Sequence, residues 1–249
     1  KEVLKDLPDK IEKNMAACME QKQKELYHAH AQRLALMLQN QTEEEFADSR
    51  FQVLSELTRL RQLCCDPALV YENYEGGSAK LDLCIELIQS AVESGHKILL
   101  FSQFTSMIEI LTARLQEESI SYFVLQGSTK KEQRAQMVEQ FNRDDTSVFC
   151  ISLKAGGTGL NLTGADIVIH YDPWWNVAVE NQATDRAHRI GQKNVVTVYK
   201  LIAKGTIEEK IIKLQQMKKE LAEEILSGDE IKTASFQREE LLELLEERF

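Results

Sequence analysis

Residues 150–202 read CISLKAGGTGLNLTGADIVIHYDPWWNVAVENQATDRAHRIGQKNVVTVYKLI, and two patterns in them decide the fold. The apolar run Val148–Leu153 leads straight into Lys154-Ala-Gly156-Gly157-Thr158-Gly159-Leu160-Asn161. That is the pattern of a buried strand ending in a glycine-rich bend, whose exposed N–H groups suit phosphate oxygens. Further on, the spacing predicts a helix over Asn176–His188, and helical geometry extended to Arg189 sets Gln182, Arg186 and Arg189 on one face. Two guanidiniums on one face, beside the Gly191-Gln192 turn, suit a polyanion of fixed geometry better than bulk solvent. A plain basic surface helix is the alternative.

Working outward, short apolar runs alternate with amphipathic segments. Lys97–Ser102 is followed by a helix over Met107–Gln116, and Tyr122–Leu125 by a helix over Lys131–Phe141. Val148–Leu153, Ile167–Tyr171 and Val195–Ile202 complete the series. Bounded runs of this length predict buried parallel strands, and the alternation predicts an α/β fold with a mostly parallel sheet and right-handed crossovers. Ligands of such sheets sit beyond the carboxyl ends of the strands, where Ser102, Gly127, Lys154 and Asp172 fall.

The N-terminal third reads differently. Leu7–Cys18 predicts a short strand, Glu20–Gln39 a long helix, and Thr42 the start of a second helix with Glu43–Glu45 in its first turn. Asp66-Pro67 stops that helix, Tyr71–Gly77 is a loop, and Ser78 starts a helix over Ala79–Glu93 that Ser94-Gly95 ends. Beyond Gly205-Thr206 a helix is expected over Ile207–Leu226, a break at Ser227-Gly228-Asp229, and an acidic helix over Phe236–Leu245.

The chain has 249 residues, of which 43% are hydrophobic and 28% charged, enough for a large core. Its N-terminus, with neither an initiating methionine nor a signal-peptide core, reads as a cut from a longer chain, and no run is long and apolar enough to span a membrane. The net charge of −10 argues against general affinity for polyanions, so any nucleic-acid contact has to be local. The five cysteines lack metal-ligand spacing, and their odd number without a secretory signal points to a reducing compartment. His28 and His30, two apart, do not face each other on a helix and form no metal pair.

SLKAGGTGLNL (152–162) and QATDRAHRIGQ (182–192) resemble the fifth and sixth helicase motifs of the Swi/Snf family of DNA-translocating ATPases, and Asp172-Pro-Trp-Trp-Asn176 resembles its bacterial members. Leu7-Pro8-Asp9-Lys10 is similar to the segment leading into the family's second motor lobe. The two long helices resemble its helical protrusion, and LTRLRQLCCDPALV (57–70) the stretch after it. The resemblance implies a RecA-like C-terminal lobe over 79–205, preceded by a lead-in strand and helical protrusion over 1–78 and followed by C-terminal helices over 206–249. It departs from the family at Val177, where proline is common, and at Thr158, where leucine is common.

What the resemblance implies for function is ATP-driven movement along double-stranded DNA without strand separation. Arg186 and Arg189 would be arginine fingers, and Gln182, Gly157, Thr158, Gly159 and Asn161 would wall the nucleotide cleft. Ser102 and Gln103 fall in the fourth motif, Ser128 and Thr129 in the next. With Lys154 and Trp175 they are the expected DNA contacts, while Trp174 is expected to pack. Phosphate capture and simple helix capping stay open for Ser102, Ser128 and Thr129. No GxxxxGK[ST] and no Asp-Glu box occur, so ATP with Mg²⁺ is expected to be held mainly by an N-terminal RecA-like lobe of the same protein, and this chain alone is expected to be inactive. A DNA-bound protein is a further possible partner. The expected location is the bacterial cytoplasm, on the nucleoid, or the eukaryotic nucleus. Two other readings stand beside this one: a strand-separating helicase lobe, and a docking module that kept the fold without the motor.

Overall fold

The computed structural model describes residues 7–153, 155, 159–224 and 238–245, with the backbone alone for 217–224. The chain divides into two compact units, one of residues 1–17 and 79–202, the other of residues 18–78 and 203–249.

The first unit is built on a sheet of six strands: β1 (Lys10–Ala17), β2 (Ile98–Ser102), β3 (Tyr122–Leu125), β4 (Val148–Ser152), β5 (Ile167–His170) and β6 (Val196–Ala203). Their spatial order is β1-β6-β5-β2-β4-β3. Strands β6, β5, β2, β4 and β3 run parallel, with Ile98 opposite both Val148 and Ile167. Every residue of β2, β4 and β5 is buried, as expected where helices cover both faces of a parallel sheet. The core gathers Phe101, Phe141, Phe149, Ile151, Leu162, Val168 and Val198, and Trp174 packs against it. Helices α3 (Ala79–Glu93), α4 (Thr105–Glu117), α5 (Lys131–Arg143) and α6 (Val177–Thr184) connect the strands. Gly95, at φ +79°, ends α3 in a backbone region that favours glycine. The connection from β2 leads toward β3 and that from β5 toward β6, so two adjacent strands send their crossovers in opposite directions. A crevice forms at such a point, beyond the carboxyl ends of the two strands.

The second unit is helical. In it α1 (Gln21–Gln39) and α2 (Glu43–Cys65) lie with α7 (Ile207–Glu224) and α8 (Arg238–Leu245). Thr42 and Glu45 form a reciprocal capping box that starts α2, and Asp66 ends it while accepting from the Ala68 N–H at 2.8 Å. The Ile207 N–H donates to the Tyr27 hydroxyl at 2.7 Å, and Arg238 Nε to the Leu38 carbonyl at 2.7 Å. The division at 78 and 205 therefore differs from the observed one. The lead-in strand joins the sheet, where the Val196 N–H donates to the Asp9 carbonyl at 3.0 Å, and the helices from both ends of the chain share a unit. The predicted break at 227–229 lies outside the described residues.

Candidate nucleotide and DNA site

The segment after β5 departs from the uniform helix that its composition suggests. Asn176 accepts from the Ala178 N–H at 3.0 Å and caps α6, which then stops at Thr184. Arg186 and Arg189 lie beyond it in successive turns, so Gln182, Arg186 and Arg189 do not share a helix face. The carbonyls beyond Thr184 explain why the helix does not resume through the two arginines. Continuing the helix would require the Arg186 and Ala187 carbonyls to accept from residues one turn on. Instead Arg186 O accepts from the Leu162 N–H at 3.0 Å, while Ala187 O accepts from Gln192 Nε2 and the Arg189 N–H, each at 3.1 Å. His170, on β5, meets Thr184 Oγ1 at the last residue of α6 at 2.9 Å and ties that end to the sheet.

The two arginines consequently occupy different environments. Arg186 is 4% exposed, and burial pushes its pKa below the ordinary arginine range. Arg189 is exposed, and its Nη1 lies 3.9 Å from the position a Cβ on Gly159 would take. The structure thus brings Arg189 to the exit of the glycine bend, and the Arg186 main chain holds that exit through Leu162. Gln182 and Asn161 are exposed, and the Asn161 carbonyl accepts from Asn142 Nδ2 at 2.9 Å. Lys154, Gly157 and Thr158 lie outside the described residues.

Other motif residues are scaffold. Gln192 Nε2 donates to the carbonyls of Thr163, Ala165 and Ala187 at 3.2, 2.7 and 3.1 Å, and its Oε1 accepts from the N–H groups of Lys193 and Asn194. His188 Nε2 meets the Pro8 carbonyl at 2.7 Å. Gly191, at φ +104°, makes the turn between them.

At the crevice, Ser102 Oγ donates to Asp172 Oδ1 at 2.6 Å and accepts from the Phe104 N–H at 3.2 Å. It is fully buried. The expectation that Ser102 touches DNA directly is corrected by that burial: its hydroxyl joins the ends of β2 and β5. Its neighbour Gln103 is half-buried, its N–H faces the Asp172 carboxylate at 3.3 Å, and its buried Nε2 has no hydrogen-bond partner among the described residues. Ser128 is exposed, whereas Thr129 Oγ1 accepts from the Gln126 N–H at 3.0 Å and closes its own turn. Trp175 is half-exposed.

One residue escaped the sequence reading. Arg134 on α5 donates to the carbonyls of Thr129 (2.8 Å), Gln126 (3.3 Å), Gly127 (3.2 Å) and Ala155 (3.2 Å). It binds the turn after β3 to the glycine bend after β4. Nothing in its local sequence marks this, because its partners are main-chain atoms. Among the described residues no group of three or more His, Cys, Asp or Glu side chains is placed to hold a metal ion, and no helix is long and apolar enough to cross a membrane.

With this geometry in place, comparison with known proteins is decisive. Residues 79–191 match the model of the helicase conserved C-terminal domain. The structure of the Sulfolobus solfataricus SWI2/SNF2 ATPase C-terminal domain superposes with a TM-score of 0.77 at 32% identity, covering 97% of this chain and 100% of that one. This chain belongs to the Swi/Snf family. A second Swi/Snf structure, the S. solfataricus ATPase core in complex with dsDNA, has a TM-score of 0.74 at 34% identity and covers 90% of this chain and 47% of its own. A Mycoplasma pneumoniae protein described as an uncharacterized ATP-dependent helicase is 42% identical over 98% of this chain. The chain spans 23% of that relative's length, so this Swi/Snf lobe corresponds to part of a larger protein there.

Proposed function

We propose that this chain is the second motor lobe of an ATP-dependent double-stranded DNA translocase, in which Arg189 and Arg186 address the nucleotide. The observation that carries the reading is the exposed Arg189 guanidinium beside Gly159, on a turn tied to the glycine bend by the Leu162–Arg186 bond. A guanidinium next to exposed backbone of a glycine-rich bend fits the oxygens of a polyphosphate. When bound there, ATP supplies the phosphoryl group to be transferred. Arg189 would orient its oxygens from the solvent side, and Arg186, shielded from water, would meet developing negative charge with little dielectric screening. Gln182, Asn161 and Gly157–Gly159 would complete the wall, with the remaining phosphate and Mg²⁺ contacts made by an N-terminal lobe.

On the DNA side, Gln103, Ser128, Lys154 and Trp175 are the proposed contacts, and Ser102 acts through Asp172 and the Phe104 amide. Opening and closing of the two lobes would move these contacts along the duplex. The test is DNA-stimulated ATP hydrolysis by a protein that carries both lobes. Turnover that depends on duplex DNA, without strand displacement, is expected. Efficient strand displacement would favour a helicase instead, and absence of any ATPase would favour a docking module.

A further inference from the structure

The helical unit carries a polar cleft that has no part in the proposed motor chemistry. It has a volume of about 440 Å³ and is lined by His30, Arg33, Arg59, Gln62, Leu69, Val70 and Tyr71. Its polar side chains are assembled by helix spacing. His30 and Arg33 stand one turn apart on α1, and Glu56, Arg59 and Gln62 follow at single-turn intervals on α2. Glu56, nearly buried, lies at their centre: its carboxylate is 2.6 Å from Arg33 Nη2, 3.1 Å from Arg59 Nη1 and 3.7 Å from His30 Nδ1. On the other side of its ring, His30 Nε2 meets the Tyr71 hydroxyl at 2.7 Å.

One carboxylate therefore serves two guanidiniums, leaving a unit of positive charge in the cleft. Arg59 Nη1 donates to Glu56 Oε1 while Arg33 faces Glu56 Oε2 as an ion pair only, and among the described residues neither the other guanidinium donors nor the half-buried Gln62 side-chain amide has a partner. Such an array holds more donors than the protein uses, which is the condition for capturing an oxyanion in two-point fashion. Leu69, Val70 and Tyr71 give the cleft an apolar and aromatic wall, and its volume exceeds what a bare inorganic anion fills. Acidic residues surround it in sequence, with Glu43–Glu45 and Asp48 on α2 and Glu72 and Glu75 after Tyr71. A long polyanion laid along this unit would meet them, whereas a compact ligand would not.

We propose that this cleft binds a small organic oxyanion, a phosphate or carboxylate carried on an apolar or aromatic body, with Arg33, Arg59 and Gln62 on the anion and Leu69–Tyr71 on the body. The test is calorimetric titration of the chain with inorganic phosphate, phenyl phosphate and phenylacetate. At least one aromatic probe is expected to bind with a Kd of about 1 mM or tighter, and more tightly than inorganic phosphate. Preference between the two aromatic probes assigns the natural anion as phosphate or carboxylate. Arg33→Gln and Arg59→Gln should each weaken that binding about fivefold or more, with the chain still folded because each variant leaves the other guanidinium on Glu56. Arg50→Gln, which removes the same charge from an exposed position of α2, should leave it unaltered. Failure of all three probes to bind, or an equal loss in Arg50→Gln, overturns the proposal. So does a duplex oligonucleotide that binds through Arg33 and Arg59 when the small probes do not.

Discussion

The Leu162 N–H donates to the Arg186 carbonyl at 3.0 Å, so the exit of the glycine bend and the arginine-bearing turn are held by one main-chain bond. Displacing either segment moves the other. The proposed nucleotide contacts are thus a single unit assembled from residues more than twenty positions apart.

The two arginines should separate in their effects. In a protein carrying both lobes, Arg189→Ala is expected to lower DNA-stimulated ATP hydrolysis by about 10²-fold or more while leaving the melting temperature unchanged. Arg186→Ala should cost as much turnover and also lower the melting temperature, because it empties a nearly buried position. Wild-type turnover in both variants refutes their role as fingers.

Arg134→Lys keeps the charge but cannot reach four carbonyls with one ammonium. DNA stimulation should fall by about tenfold or more, in line with a loss of about 1.4 kcal/mol of positioning. Basal hydrolysis should change less. Hydrogen exchange at Gln126–Thr129 and at Ala155 should rise together, and independent behaviour of the two loops would show that the clamp does not couple them.

The adjacent tryptophans offer an internal control. Trp174 packs on the core, so Trp174→Ala should destabilise the fold by about 3 kcal/mol. Trp175→Ala should melt close to wild type and lose DNA stimulation instead. A large stability loss in Trp175→Ala would remove it from the DNA surface.

His170 predicts an acid-sensitive fold. It is buried and stacked on Phe101 with centroids 5.5 Å apart, and its pKa is pushed down to about 3, first by burial and then by the nearby Lys200 charge. The unfolded chain takes up a proton below about 6.5 that the folded chain refuses until about 3. Stability from this group is therefore complete above 6.5 and declines on acidification by up to about 1.4 kcal/mol per pH unit. Chemical unfolding at pH 7 and pH 5 should show the contribution of His170 directly in His170→Gln, whose deficit narrows as the pH falls. A constant deficit would mean that His170 titrates normally.

Much of the fold was legible because its signals are local. Runs such as Ile98–Ser102 and Val148–Ser152 are apolar throughout for the plain reason that both faces are covered, and Thr42 and Glu45 announce a helix start three residues apart. The end of α6 was not legible. Ala183-Thr-Asp-Arg-Ala-His188 contains no glycine or proline, and the helix does not resume beyond Thr184 because Leu162 and Gln192, distant in sequence or folded back, claim the carbonyls of Arg186 and Ala187. Ser102 misled for a related reason. A hydroxyl at a strand end looks available until the partner strand brings Asp172 to it.

The five hydrogen bonds of Gln192 have a consequence for how such chains are recognised. A glutamate there would present only acceptors to three carbonyls, so the turn itself demands the amide. Together with His188 it makes part of the QATDRAHRIGQ signature a statement about shape. A relative that had lost both arginines could keep these letters and still fold, and a search tuned to them would count it as a motor. On the proposed reading, discrimination between working and retired engines of this kind rests on Arg186 and Arg189, two positions in an eleven-residue word.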